Sequence, residues 1–178
     1  MVAFVPVRRK GVLLNWANVK LLITDFDGCW TDDAVYVDQN GVESVRCLRA
    51  DGYGITRLQA AGVPVIVLSA EVNPVVAVRC RKLKVECYQT AQPKLQALKG
   101  IMSATRPDIP LSEVAYMGND VNDIECLAAV GLPIIVPTSE LAVLKWRTVG
   151  TYVTRRWGGN GAVREVCDLI LEARDGSR

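Results

Sequence analysis

Histidine is missing from all 178 residues. That removes Ser-His-Asp and Cys-His catalysis, histidine metal sites and phosphohistidine chemistry at once. The six cysteines, Cys29, Cys47, Cys80, Cys87, Cys126 and Cys167, include no C-x-x-C pair. All but Cys29 fall inside expected strands or helices, so reduced core thiols are expected rather than disulfides or zinc. No apolar run approaches the roughly 18 residues that a membrane span requires. The opening MVAFVPVRRK sets its charges after its apolar residues, the reverse of a secretory signal, and a cytoplasmic chain is the expectation. A net charge of +2 gives no electrostatic case for nucleic acid, and the short run from Arg8 to Lys10 reads as solvated surface. Internal repeats and low-complexity linkers are absent as well. Any catalysis must run on carboxylates, lysine, hydroxyls or a metal held by oxygen.

What is present suits one globular domain. Half the residues are hydrophobic and 22% are charged, enough for a full core. Residues 1–17 read as an irregular lead-in and 18–178 as a single domain. Val19 to Thr24 (VKLLIT) is a short continuous apolar run, the form a buried parallel strand takes. Two alternating segments, Ala34 to Val37 and Ser44 to Cys47, joined through Asn40-Gly41, signal a hairpin. A helix is expected from Asp51, as N-cap, to a stop at Gly62. Strands at 64–68, 86–88, 114–117, 132–136 and 152–154 then alternate with helices at 73–83, 94–105, 122–130, 140–146 and 162–173, with Pro74 suited to a first helical turn. This alternation implies a three-layer α/β fold with a mostly parallel sheet, the hairpin being its one antiparallel intrusion.

Ligands of such sheets sit at the carboxyl ends of the strands. There the first strand ends in Asp25-Phe26-Asp27-Gly28, the second in Ser69, and the fourth in Gly118-Asn119-Asp120, followed by Asn122 and Asp123; Lys94 opens the helix between the second and fourth groups. Taken singly, each is ordinary: a turn, a helix cap, a solvated lysine. D-x-D-G also fails as an EF-hand loop, because Cys29 and Trp30 occupy ligand or glycine positions. Together and in this order they describe phosphoryl chemistry. Phosphate monoesters need up to roughly 10²¹-fold acceleration, and a carboxylate approaches an anionic ester only if cations cancel the repulsion. Magnesium is content with one or two carboxylates, waters and the phosphate itself. Lys94 adds a fixed charge and Ser69 a hydrogen bond to phosphoryl oxygens. Asp25 is then the nucleophile, and Asp27 the acid for the leaving oxygen and later the base for water. Gly28 lets the chain turn away without covering the phosphate.

At these residues the chain resembles the haloacid dehalogenase superfamily. More narrowly, it resembles the small capless branch of 3-deoxy-manno-octulosonate 8-phosphate phosphatases, acylneuraminate 9-phosphate phosphatases and the phosphatase-like domain of some CMP-acylneuraminate synthetases. The likeness runs from about Val19 to Ala173 through DFDG, TDDAVYVDQNGVES, ADGYGI, YQTAQPKL, VAYMGNDVND and YVTRRWGGNGAVREVCDLIL. It implies a Rossmann-like haloacid dehalogenase fold with a hairpin flap after the first strand and no cap domain. It also implies Mg²⁺ on Asp25, the backbone carbonyl of Asp27 and a ligand from Asn119 or Asp120, with Asp123 in support. A homotetramer is implied too, in which a neighbour closes each site, and the spans between motifs leave no room for a separate lid. Glu71 stands where octulosonate phosphatases typically carry arginine, and with Arg79 and Lys82 it matches the nine-carbon acylneuraminate enzymes. The expected division has Arg79 and Lys82 on the sugar carboxylate across a subunit interface and Glu71 accepting a hydrogen bond from the sugar.

Four departures stand out: Asn119 for a usual aspartate, Pro93 for an aspartate before the lysine, Ala70 for a glycine and Asn160 for an arginine. The leading expectation is therefore an acylneuraminate 9-phosphate phosphatase, with octulosonate 8-phosphate hydrolysis as the alternative. From other classes, a non-catalytic tetramerisation domain of a CMP-acylneuraminate synthetase and a phospho-receiver domain also use parts of this pattern. The receiver lacks the early D-x-D-G hairpin arrangement.

Overall fold

The computed structural model of the protein describes residues 14–176. The Arg8 to Lys10 run and most of the 1–17 lead-in lie outside the described residues. Among the described residues eight strands are formed: β1 (Leu21–Thr24), β2 (Tyr36–Val37), β3 (Glu43–Ser44), β4 (Val65–Ser69), β5 (Glu86–Gln89), β6 (Val114–Gly118), β7 (Leu132–Ile135) and β8 (Tyr152–Val153). The helices are α1 (Arg49–Ala60), α2 (Pro74–Leu83), α3 (Lys94–Thr105), α4 (Ile124–Ala129), α5 (Leu141–Trp146) and α6 (Ala162–Asp175).

Six strands make one sheet in the order β5-β4-β1-β6-β7-β8, and all five pairings within it are parallel. Its central strands are buried on both faces, which is why they read as unbroken apolar runs rather than alternations. Alternate residues still part company. Leu22 faces a core with Ile55, Leu58, Val76 and Val166 from α1, α2 and α6, while Leu21 and Ile23 face Leu98, Cys126 and Val143 from α3, α4 and α5. These are the three expected layers. From β1 the chain builds outward to β4 and β5, then returns to place β6 on the other side of β1. That reversal opens a crevice at the carboxyl ends of β1 and β6, and there the polar residues gather.

The structure corrects several local expectations. The hairpin pairs only Tyr36 with Ser44 and Val37 with Glu43, antiparallel, and forms its own two-stranded sheet instead of joining the main one. Cys47 lies outside it. Its turn is tied by Asp38, whose carboxylate accepts the N–H groups of Asn40 (2.8 Å) and Val42 (2.9 Å). Asp51 is not the N-cap of α1; Leu48 is. Asp51 lies within the first turn of α1, buried, and accepts the Arg164 N–H of α6 at 2.8 Å. It therefore satisfies one of the orphan donors at the start of another helix. The helix expected over 122–130 divides into a 3₁₀ turn, Val121–Asp123, and α4. The capping box of Asp120 and Asp123 forces that break. All six cysteines are free thiols, as composition predicts.

Candidate active site

Asp25 follows β1 directly, and its N–H extends the ladder to Met117 O at 2.8 Å. Lys94, the first residue of α3, reaches under the crevice, and its Nζ lies 2.7 Å from Asp25 Oδ2 and 2.8 Å from Asp123 Oδ1. All three are buried, with 6% (Asp25), 3% (Lys94) and 0% (Asp123) of their surface exposed. Asp123 holds four donors: Lys94 Nζ and the Tyr116 hydroxyl (2.7 Å) on Oδ1, the Asn119 N–H (2.9 Å) and Asp120 N–H (3.2 Å) on Oδ2. Only a glycine at 118 permits this fold-back, since a methyl group there would lie 2.5 Å from Asp123 Cβ. Asp25 is anchored once on each oxygen, to Phe26 N–H (2.7 Å) and to Lys94. A carboxylate oxygen can accept more than one bond, so each retains capacity for a ligand.

Two buried carboxylates share one ammonium, so the cluster is short of positive charge. Burial, and then the Asp123 charge, raise the Asp25 carboxyl to about 7 in spite of Lys94. Asp27, less deeply set, is also raised, by burial and by the charges of Asp33 and Glu71. A raised carboxyl keeps its proton more readily, the direction that proton donation to a leaving oxygen requires.

The D-x-D-G turn itself is gripped from two sides. Gly28 has φ +69°, and a methyl group on it would fall 2.0 Å from Asn119 Nδ2. The Asn119 amide thus lies directly over the nucleophile loop. From the other side Gly158 approaches so closely that a Cβ would sit 1.8 Å from Gly28 O, and the Gly159 N–H bonds Cys29 O at 3.1 Å. Sequence reasoning passed over Gly158, Gly159 and Tyr116. A tyrosine inside the otherwise apolar buried run VAYM was a usable signal, since a buried phenol seeks a partner.

Among the described residues no three Asp, Glu, Cys or His side chains converge as a metal cluster. The oxygen set here is of another kind: the Asp25 carboxylate, the loop carbonyl of Asp27 and the Asn119 amide. Hard oxygens around an under-neutralised site suit magnesium, which keeps several waters. Asp120 fits less well, because its Oδ1 is turned back onto its own Val121 N–H at 2.5 Å.

Ser69 ends β4, buried, with its Oγ accepting the Glu71 N–H at 3.0 Å. Glu71 is exposed on the rim, close enough to Asp27 to raise it. Arg79 and Lys82 are not brought to Asp25 within one chain. Arg79 donates to Leu48 O at 3.3 Å between α1 and α2. Lys82 is exposed in the last turn of α2, about 12 Å along the helix from Pro74. A cavity of about 510 Å³ lies beside Lys94, lined by Ala70, Thr90, Gln92, Asn122 and Glu125 among others.

No family model matches the chain. Over 165 residues, however, it is 37% identical to the 3-deoxy-D-manno-octulosonate 8-phosphate phosphatase of Yersinia pestis, covering 92% of this chain and 86% of that one. This chain belongs to the haloacid dehalogenase superfamily, in its capless octulosonate phosphatase branch. Solved structures agree. The octulosonate 8-phosphate phosphatase of Moraxella catarrhalis, in complex with magnesium, phosphate and KDO, superposes with a TM-score of 0.83 at 32% identity over 91% of both chains. A haloacid dehalogenase family hydrolase of Streptomyces avermitilis gives 0.82 at 39% identity, over 90% of this chain and 89% of that one. Like its branch, the chain is a phosphoric monoester hydrolase. These relatives favour the eight-carbon acid that the sequence reading placed second, over the nine-carbon acid it placed first.

Proposed function

We propose that this hydrolase removes the phosphate of 3-deoxy-D-manno-octulosonate 8-phosphate or a close acidic keto-sugar phosphate, using Asp25 as nucleophile. The observation that carries the reading is the buried Asp25–Lys94–Asp123 array in the β1/β6 crevice. Asp123 fixes Lys94, and Lys94 fixes Asp25 and presents positive charge where phosphoryl oxygens arrive. The Ser69 hydroxyl, free to exchange its Glu71 contact, donates to the same oxygens. Asp25 attacks phosphorus to form an aspartyl-phosphate as the sugar oxygen leaves. Asp27 gives that oxygen its proton, then takes one from the water that cleaves the aspartyl-phosphate. Asp25, the Asp27 carbonyl and Asn119 would hold magnesium, which supplies charge neutralisation to the phosphoryl group. Asn119 replaces a charged ligand with a neutral one, so weak magnesium affinity is expected.

Val37, Val42 and Val72, each more than 60% exposed, lie on or beside the flap. Such an apolar rim supports a homotetramer whose neighbour closes the site and brings Arg79 and Lys82 to the sugar carboxylate. Light scattering that finds a monomer would remove this part of the reading. The nine-carbon alternative retains one observation, the acidic Glu71 on the rim. Phosphate release with and without magnesium, on octulosonate 8-phosphate and acylneuraminate 9-phosphate, tests both. Higher kcat/KM on the eight-carbon ester is expected; preference for the nine-carbon ester would reverse the assignment.

A further inference from the structure

The segment YQTAQPKL contributes Lys94 to the site, but its glutamine has no part in the chemistry above. Gln89 is the last residue of β5, paired in register with Ser69 at the end of β4. Its side-chain amide donates to two backbone carbonyls, Glu71 O at 2.9 Å and Asn73 O at 2.9 Å. The loop it spans, residues 70–73, leads from Ser69 to α2 and carries Glu71 on the site rim. The same loop is linked onward. Asn73 caps α2 by accepting the Val75 N–H at 3.0 Å, while its Nδ2 donates to Glu43 of the flap.

We infer that Gln89 is a positioning residue for substrate selection. It holds the 70–73 loop, and through Asn73 the flap, in the geometry that presents Glu71 to the sugar. The inference rests on the phosphatase reading above and adds to it a residue that touches neither phosphate nor metal. Three features make the amide suited to the task. Both of its N–H groups are donors, so one side chain ties Glu71 O to Asn73 O, the latter also accepting the Val76 N–H of α2 at 3.2 Å. It projects from a sheet strand, more rigid than the loop it holds. It also shares Glu71 O with the Ser69 hydroxyl, 3.3 Å away, so that carbonyl keeps a partner when Ser69 turns to a phosphoryl oxygen.

The test separates sugar recognition from phosphoryl transfer. Gln89→Leu removes both donors, and Gln89→Asn keeps the amide but is too short to bridge both carbonyls, which guards against a Leu variant that fails to fold. KM and kcat are measured with octulosonate 8-phosphate and with p-nitrophenyl phosphate, which has no sugar. KM for the sugar phosphate should rise about tenfold, the loss of two hydrogen bonds of ordinary net strength, with both constants for p-nitrophenyl phosphate within about twofold of the parent. An unchanged sugar KM in a folded variant overturns the inference, as does an equal loss on both esters, which would mean that Gln89 acts only through Ser69. If the parent enzyme hydrolyses p-nitrophenyl phosphate but no acidic sugar phosphate, the substrate reading fails, and that outcome is distinct from either of these.

Discussion

Three aspartates, Asp25, Asp123 and Asp51, are sunk into this molecule, and the surroundings of the first two differ in kind from those of the third. At the carboxyl ends of β1 and β6, Asp25 and Asp123 meet Lys94 Nζ, the Tyr116 hydroxyl and three backbone N–H groups. Between α1 and α6, Asp51 takes one N–H from Arg164, and its Oδ2 has no partner; nearby, Arg79 Nε is also buried without one. A buried charge is tolerated when every lone pair is met and is costly otherwise. Asp25 is nevertheless raised to about 7, by burial first and then by the Asp123 charge, in spite of Lys94. In the first cluster the surplus negative charge is what a bound cation would neutralise. In the second, Asp51 is raised to about 6 by burial, against the Arg164 N–H and the charges of Arg156, Arg79 and Arg164.

The sharpest way to break this contrast is Asp25→Asn, expected to reduce magnesium-dependent phosphate release by at least about a thousandfold. Release that survives the substitution would mean another nucleophile. Lys94→Met comes next. It strands Asp25 and Asp123 without their cation, and chemical denaturation should show a loss of about 3–5 kcal/mol, the usual cost of breaking a buried pair from one side. Near-normal stability would show that the two carboxylates do not depend on Lys94.

Asp51→Asn should act in the opposite direction. The native carboxyl is raised, so the stability it contributes is complete below its unfolded pKa near 3.9 and is lost as pH rises through about 6. Asparagine never ionises and keeps an acceptor for the Arg164 N–H. Thermal melts at pH 8 should therefore show the variant more stable by about 1–2 kcal/mol, a gain that shrinks as pH falls from 6 to 4. A gain independent of pH would rule out Asp51 as its source. Tyr116→Phe is the mildest change. It deletes one of the two donors on Asp123 Oδ1 and should cost about 1 kcal/mol, read by denaturation; a neutral result would mean that Lys94 alone holds Asp123.

Most of the layered fold was readable because burial on both faces leaves apolar runs such as VIVL and VAYM that local pattern detects. The candidate site was readable for a related reason. Parallel strands expose their carboxyl ends together, so Asp25, Ser69 and the 118–123 turn had to lie on one edge. Errors arose where a residue's partner is distant in the chain. Asp51 looks like the cap of its own helix but serves α6, 113 positions away. Asn119 and Asp120 were equivalent by spacing, and only in space do they part: the Asp120 carboxylate accepts the Val121 N–H, while the Asn119 amide lies over Gly28. Gln89, with carbonyl partners 16 and 18 positions back, had no local signature at all.

By itself, then, the amino-acid order determined the alternating elements, the absence of histidine chemistry, and the acids, hydroxyl and lysine available for phosphoryl transfer. All of these are properties of short windows or of composition. Tertiary structure decided which acid shares Lys94, how deeply each is buried and so where it titrates, and which glycines let Gly158, Gly28 and Asn119 meet. Those quantities depend on contacts between residues tens of positions apart. Charge and desolvation act through distance in space, which no local pattern encodes.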